Sequence, residues 1–215
     1  MTAGLIGLPN LPTVYDAFEA NDTVYMVMKY EEGESLGIEF RQRAYEPYST
    51  ASFAPKMISV LQGIKAMHQR GILHRDLSPG NMLHRKDGEM VLIDMGSAMK
   101  MTEKNTSVVR VLKQDFAAPE QFDNARAGKI VTKEGPWTDI YSIGATMYYL
   151  LTGQKATDAL SRRKQGEKLF FDIPGAKLRK GWKKLITGCM ELNPQKRIKS
   201  VDDILHSIEK LLKKE

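Results

Sequence analysis

His74-Arg75-Asp76-Leu77-Ser78-Pro79-Gly80-Asn81 decides how this chain is read. The octet lies between two short apolar pieces of strand character, Gly71-Ile72-Leu73 and Met82-Leu83-His84. A loop in this position can carry chemistry. A carboxylate there can accept or orient a proton, and an amide oxygen a few residues later can reach a metal on the same loop face. Asp76 and Asn81 supply the two groups. The competing reading makes both of them ordinary turn residues.

The surrounding sequence adds to the octet. Thirteen residues after Asn81 comes Asp94-Met95-Gly96, across a hairpin whose turn is Lys86-Asp87-Gly88-Glu89, the Asp-Gly pair suiting a tight turn. Then follow Ala118-Pro119-Glu120, the run Trp137-Thr138-Asp139-Ile140-Tyr141-Ser142-Ile143-Gly144, and Arg197 after Asn193-Pro194. Five motifs in this order resemble the H-R-D-x-x-x-x-N loop, D-F-G, A-P-E, D-x-W/Y-S-x-G helix and late arginine of protein kinases. The resemblance is to kinases of serine/threonine type, especially the bacterial eukaryotic-like ones, and it runs from Pro9 to about Leu212.

That resemblance implies an α+β fold, a mainly α-helical C-terminal lobe with a remnant β-hairpin of the N-terminal lobe. Residues 1–30 are the remnant and the approach to the hinge, and 31–215 the C-terminal lobe, of a single partial domain. It implies ATP- and Mg²⁺-dependent phosphoryl transfer to serine or threonine of protein substrates. Asp76 is the implied base, and Asn81 and Asp94 hold the metal. Met28 takes the gatekeeper place, Lys29-Tyr30-Glu31 the hinge whose backbone bonds adenine, and Leu83 the apolar floor beneath the base. Glu120 and Arg197 form a structural ion pair, and residues 97–117 are the activation and substrate-docking segment. Arg75 implies a guanidinium that binds a phosphate on that segment, with Thr102, Thr106 and Ser107 as candidate acceptors. Small-molecule kinases of the aminoglycoside type share the catalytic residues but not A-P-E, so protein substrates are expected.

The chain departs from the family at several points. Met95 replaces Phe, a flexible apolar substitute for the same slot. Serine/threonine kinases usually carry a lysine two residues after the aspartate, where this chain has Ser78. Lys113, seven residues before Glu120, stands where they usually place a threonine, so the hydroxyl and the ammonium are expected to have exchanged places beside Asp76. No glycine-rich loop or phosphate-gripping lysine is found before Thr23, and phosphoryl transfer depends on such positioning and charge. The rival expectation is therefore a pseudokinase-like scaffold or a fragment completed by a partner. An uncovered hairpin edge invites self-association or such a partner.

Pattern fills in the rest. Pro12 to Glu19 and Thr23 to Tyr30 read as a hairpin turning at Asn21-Asp22. Phe53, Met57, Val60, Leu61, Ile64 and Met67 recur at helical spacing with Pro55 in the first turn. Residues 95–135 are polar and aperiodic, as in a long functional loop. Helices are expected around Ile140 to Leu151, stopped by Gly153, around Trp182 to Met190, and over Val201 to Leu212 behind a Ser200/Asp203 capping box. With 215 residues and 42% hydrophobic composition the chain can bury one sizeable core. No run is long and apolar enough for a membrane span, no signal peptide opens the chain, and the single Cys189 rules out an internal disulfide, so the cytoplasm is the expected compartment. The net charge of +6 concentrates after residue 160, in runs such as Ser161-Arg162-Arg163-Lys164, expected as a solvated face. Without aromatic interleaving they point to neither a nucleic-acid nor a membrane partner.

Overall fold

A computed structural model describes residues 5–21, 23–101 and 112–214. β1 (Val14–Ala20) and β2 (Thr23–Met28) form an antiparallel hairpin, reversed through Asn21 at φ 51°, a conformation asparagine tolerates. β3 (Gly33–Ser35) leads into α1 (Leu36–Gln42), then α2 (Thr50–Gln69) and β4 (Ile72–Leu73). A 3₁₀ turn (Pro79–Asn81) joins the next loop to β5 (Met82–Arg85), which pairs with β3 on one side and β6 (Met90–Leu92) on the other. β7 (Met99–Lys100) pairs with β4. The remainder is helical: α3 (Pro119–Ala127), α4 (Pro136–Thr152), α5 (Ala159–Gln165), α6 (Lys180–Cys189) and α7 (Val201–Leu212).

α4 is the axis of the core. Fourteen of its residues are buried, which is why its sequence reads apolar around nearly the whole circumference. α2 and α6 pack on it and α7 packs on both. Gly144 allows this closeness, since a Cβ there would stand 2.6 Å from Cys189 Cβ and 2.8 Å from Met190 Cγ. Gly153, at φ 79°, ends α4 in the left-handed conformation that glycine adopts without strain. Phe53 of α2 meets the fully buried Trp182 of α6 edge to face at 6.2 Å. The Ser200/Asp203 box caps α7, with the Asp203 amide donating to Ser200 Oγ at 3.2 Å.

Four sequence expectations change. Ser49 Oγ accepts from the Ser52 amide and starts α2 at Thr50, so Pro55 lies in the second turn, inside the helix. α1 was not expected; its short length and only two buried apolar residues, Leu36 and Phe40, gave no periodic signal. The stretch 95–135 is not a continuous loop, because α3 runs through it. The face α3 buries is polar, made of Glu120, Gln121 and Asn124, so hydrophobic periodicity could not show it. The basic run at 161–164 is α5, capped by Asp158, and it is not wholly solvated: Arg162 is buried, and Arg163 holds Asp123 through two bonds of 3.0 and 2.7 Å.

Candidate active site

The loop from His74 to Ser78 is bent by Arg75 at φ 71°, a conformation that costs a non-glycine residue on the order of 1–3 kcal/mol and needs outside support. Asp139, fully buried in the first turns of α4, provides it. Its carboxylate accepts the His74 amide at 2.9 Å, the Arg75 amide at 2.7 Å and His68 Nε2 at 2.7 Å. Burial raises the Asp139 carboxyl, but the His68 hydrogen bond and the charge and backbone donor of the His74 side outweigh it and hold it below the ordinary carboxylate range. A carboxylate near a helix N-terminus is further favoured by the helix dipole.

His74 is fully buried, and burial pushes its imidazole below the ordinary value although Asp139, Asp76 and Asp94 pull the other way. The unfolded chain therefore binds a proton at a pH where the folded chain does not. This contribution to stability is complete above the unfolded value of about 6.5 and is lost as pH falls toward the lower folded value. Urea titrations at about pH 7.5 and 5.5 are expected to show a loss of up to about 1.4 kcal/mol that His74→Phe removes. An equal loss in both proteins would assign the acid sensitivity elsewhere.

Around Asp76 four of the sequence candidates meet. Asn81 Nδ2 donates to Asp76 Oδ2 at 2.9 Å and to its carbonyl oxygen at 2.7 Å, which leaves Asn81 Oδ1 with no donor among the described residues. Lys113 Nζ stands 2.8 Å from Asp76 Oδ2 and donates to Ser78 Oγ at 3.1 Å. The Ile93 amide donates to the Asn81 carbonyl at 3.0 Å, and this bond fastens the end of β6 to the loop, so the following Asp94 is delivered beside Asn81. Asp94, at φ 64° and exposed, accepts the Gly96 amide at 3.2 Å while Met95 is buried beneath. One carboxylate and one free amide oxygen are hard oxygen donors of the kind Mg²⁺ takes when phosphates and water complete its shell.

The other four candidates lie apart from this cluster. Met28 ends β2 half-buried; Lys29 donates its amide to the Thr13 carbonyl at 2.8 Å, its half-exposed Nζ 3.5 Å from Glu31 Oε1. Glu31 is 3.7 Å from Arg85 Nη1, and Leu83 is buried in β5 opposite Ser35. β5 connects the two groups, starting at the loop end that bears Asn81 and running alongside the segment that follows β2.

Arg75 is placed differently from the expectation of a phosphate partner. It is buried with Glu134, Nε to Oε2 at 2.5 Å, and Glu134 Oε1 accepts from Asn124 Nδ2 at 2.8 Å. Gln121 Nε2 donates to the Arg75 carbonyl at 2.8 Å. A carboxylate of the chain itself thus neutralises the guanidinium. The candidate acceptors Thr102, Thr106 and Ser107 lie outside the described residues. Glu120 meets Arg197 at 2.7 and 3.2 Å, both side chains buried.

The protein kinase domain pattern matches residues 3–208, nearly all of the chain. The chain belongs to the protein kinase family. Its relatives place it with the eukaryotic-like serine/threonine kinases. The kinase chain is 30% identical to the serine/threonine-protein kinase PknA of Nostoc over 165 residues, 73% of this chain and 28% of that one. It is 27% identical to serine/threonine-protein kinase D of Synechocystis over 210 residues, covering 94% and 39%, and 27% identical to mouse sperm motility kinase 3A over 201 residues, covering 92% and 38%. The kinase chain therefore spans about two-fifths or less of the length of these relatives. No described helix is long and apolar enough to cross a membrane.

Sequence reasoning missed the groups that hold the loop. Asp139 was visible inside the Trp137–Gly144 motif but had no role assigned, and His68 looked like one more residue of an amphipathic helix. Glu134 and Asn124 lie in the stretch read as loop, and no local pattern ties them to Arg75.

Proposed function

We propose that the kinase chain transfers the γ-phosphoryl group of ATP to a serine or threonine hydroxyl of a protein substrate. The observation that carries this reading is the Asp76 carboxylate held between the Asn81 amide and the Lys113 ammonium. Asp76 takes the proton of the hydroxyl whose oxygen forms the new bond to phosphorus, and ADP carries away the electron pair of the broken bond. Lys113, shared between Asp76 and Ser78, supplies the positive charge beside the transferred group, in the place of the family's usual loop lysine. Asn81 fixes Asp76 through its amide nitrogen, and the other end of its side chain, with Asp94, would hold the metal. Mg²⁺, when bound, neutralises phosphate charge. Met28, Lys29, Glu31 and Leu83 are read as the adenine side of the site, residues 1–30 as N-terminal-lobe remnant and hinge approach, 31–215 as C-terminal lobe, and the cytoplasm as the setting.

The test is transfer of label from ATP to a generic basic protein, with and without Mg²⁺, beside an Asp76→Asn control. Label that requires Mg²⁺ and is abolished in the control supports the reading; label that persists in the control overturns it. Lys113→Ala is expected to lower turnover by about 10²-fold or more, as for loss of a charge aimed at the transition state. Unchanged turnover would remove Lys113 from the mechanism.

A second reading, a scaffold that transfers nothing, draws on Lys29, the hinge cation, which is paired with Glu31 and half-exposed. On either reading we infer that the β1–β2 hairpin is covered by another polypeptide segment or a second copy, because Tyr15, Phe18, Val24, Tyr25 and Val27 are exposed on it. Light scattering is expected to show association that Phe18→Ser with Tyr25→Ser weakens. A monodisperse monomer would count against it.

A further inference from the structure

Six of the chain's 32 lysines and arginines line one groove between α5 and α6. The groove encloses about 850 Å³, within the range of sites that bury a drug-sized ligand. Lys168, Lys180, Lys183, Lys184, Lys196 and Arg162 line it, against two carboxylates, Glu167 and Glu191. Glu167 already accepts the Thr157 hydroxyl at 3.0 Å. None of the five lysines forms an ion pair with a carboxylate of the described residues.

Two further features favour an anion in the groove. Arg162, only 6% exposed, donates through Nη1 to the Tyr141 hydroxyl at 3.3 Å and the Met190 carbonyl at 3.2 Å, while its Nε is buried without a partner. A buried, unsatisfied donor on a cation is costly. α6 begins against its own dipole: Arg179 is the N-cap residue with no side-chain capping bond, no acidic residue occupies the first turn, and Lys180, Lys183 and Lys184 follow. An anion in the groove would offset the lysines at the start of α6 and lie beside the Arg162 side chain.

The lining also defines the kind of anion. Leu169, Phe171 and Leu192 share the groove with the lysines, and Lys183 Nζ lies 5.9 Å from the Phe171 ring centre, so an apolar anchor is accommodated beside carboxylates. Single-stranded nucleic acid needs a succession of aromatic platforms, and Phe171 is the one aromatic ring lining this groove among the described residues. We propose that the groove docks an acidic segment of a partner polypeptide that carries an apolar anchor. This site is independent of the phosphoryl-transfer reading.

The experiment uses the whole chain and a short fluorescein-labelled peptide alternating glutamate and phenylalanine, read by fluorescence anisotropy. Saturable binding is expected, weakened by salt and at least about tenfold by K180E/K183E/K184E. This variant is expected to melt no lower than the parent, because carboxylates at the start of α6 suit its dipole. K168E/K196E, placed outside the helices, is a second variant expected to weaken binding in the same direction. Absence of saturable binding, or an affinity in both variants equal to that of the parent, overturns the proposal. Tighter binding of a single-stranded DNA oligonucleotide or of phosphatidylserine vesicles than of the peptide, lost in the same variants, also overturns it by assigning the groove to another class of ligand.

Discussion

Glu120→Ala is expected to lower folding stability by about 3–5 kcal/mol, the usual result of leaving one partner of a buried ion pair behind. The partner is Arg197, whose side chain is fully buried and whose donors reach Glu120, the carbonyls of Trp137, Glu191 and Leu192, and no solvent. Thr138 Oγ1 donates to the same Glu120 oxygen at 2.9 Å and would lose its acceptor as well. The pair ties the start of α3 to the start of α4 and to the segment before α7, so the loss spreads beyond one contact. Thermal unfolding followed by circular dichroism is expected to shift down by roughly 6–20 °C for a chain of this size. Glu120→Gln, which keeps an acceptor and removes the charge, is expected to lose less than Glu120→Ala. A shift under about 2 °C for the alanine variant would mean that Arg197 is not uncompensated in it.

Asp76→Asn is expected to lower phosphoryl transfer by about 10²–10⁴-fold, the range lost with a positioned general base, while the folded chain persists. The amide has the size of the carboxylate and still offers an oxygen to Asn81 Nδ2, so the loop keeps its hydrogen bond. What disappears is the proton acceptor and the negative charge that Lys113 pairs with at 2.8 Å. Because Lys113 acts on the same group, Asp76→Asn with Lys113→Ala is expected to cost little more than Asp76→Asn alone, the non-additivity of residues that act as a unit. Rates measured at saturating ATP separate this from a loss of nucleotide affinity. Turnover within about threefold of the parent would exclude Asp76 as the base.

The main helices and the candidate chemistry were legible in the sequence because both are written locally. The capping box at Ser200, the apolar face from Phe53 to Met67, the Gly153 stop and the Asp-Gly turn before Met90 each fix a structure within a few residues of themselves. Asp76, Asn81 and Asp94 stand at spacings that a short loop and a hairpin bring together, and the expected nearness of Lys113 rested on counting back from Glu120. α3 was hidden because what it buries is polar, and α1 because it is too short to repeat.

Tertiary structure alone decided the partners of buried charges. Arg75 is held by Glu134, the bend at Arg75 by Asp139, and Arg162 is buried against the Tyr141 hydroxyl and the Met190 carbonyl. These contacts join residues tens of positions apart, where chain order carries no signal. Once desolvated, a guanidinium or carboxylate is tolerated only beside a compensating group, and which group stands there depends on how α3, α4 and α5 pack. Local pattern determined the elements and the loop that bears the candidate chemistry; the packing of those elements decided which buried charges meet a partner within the chain.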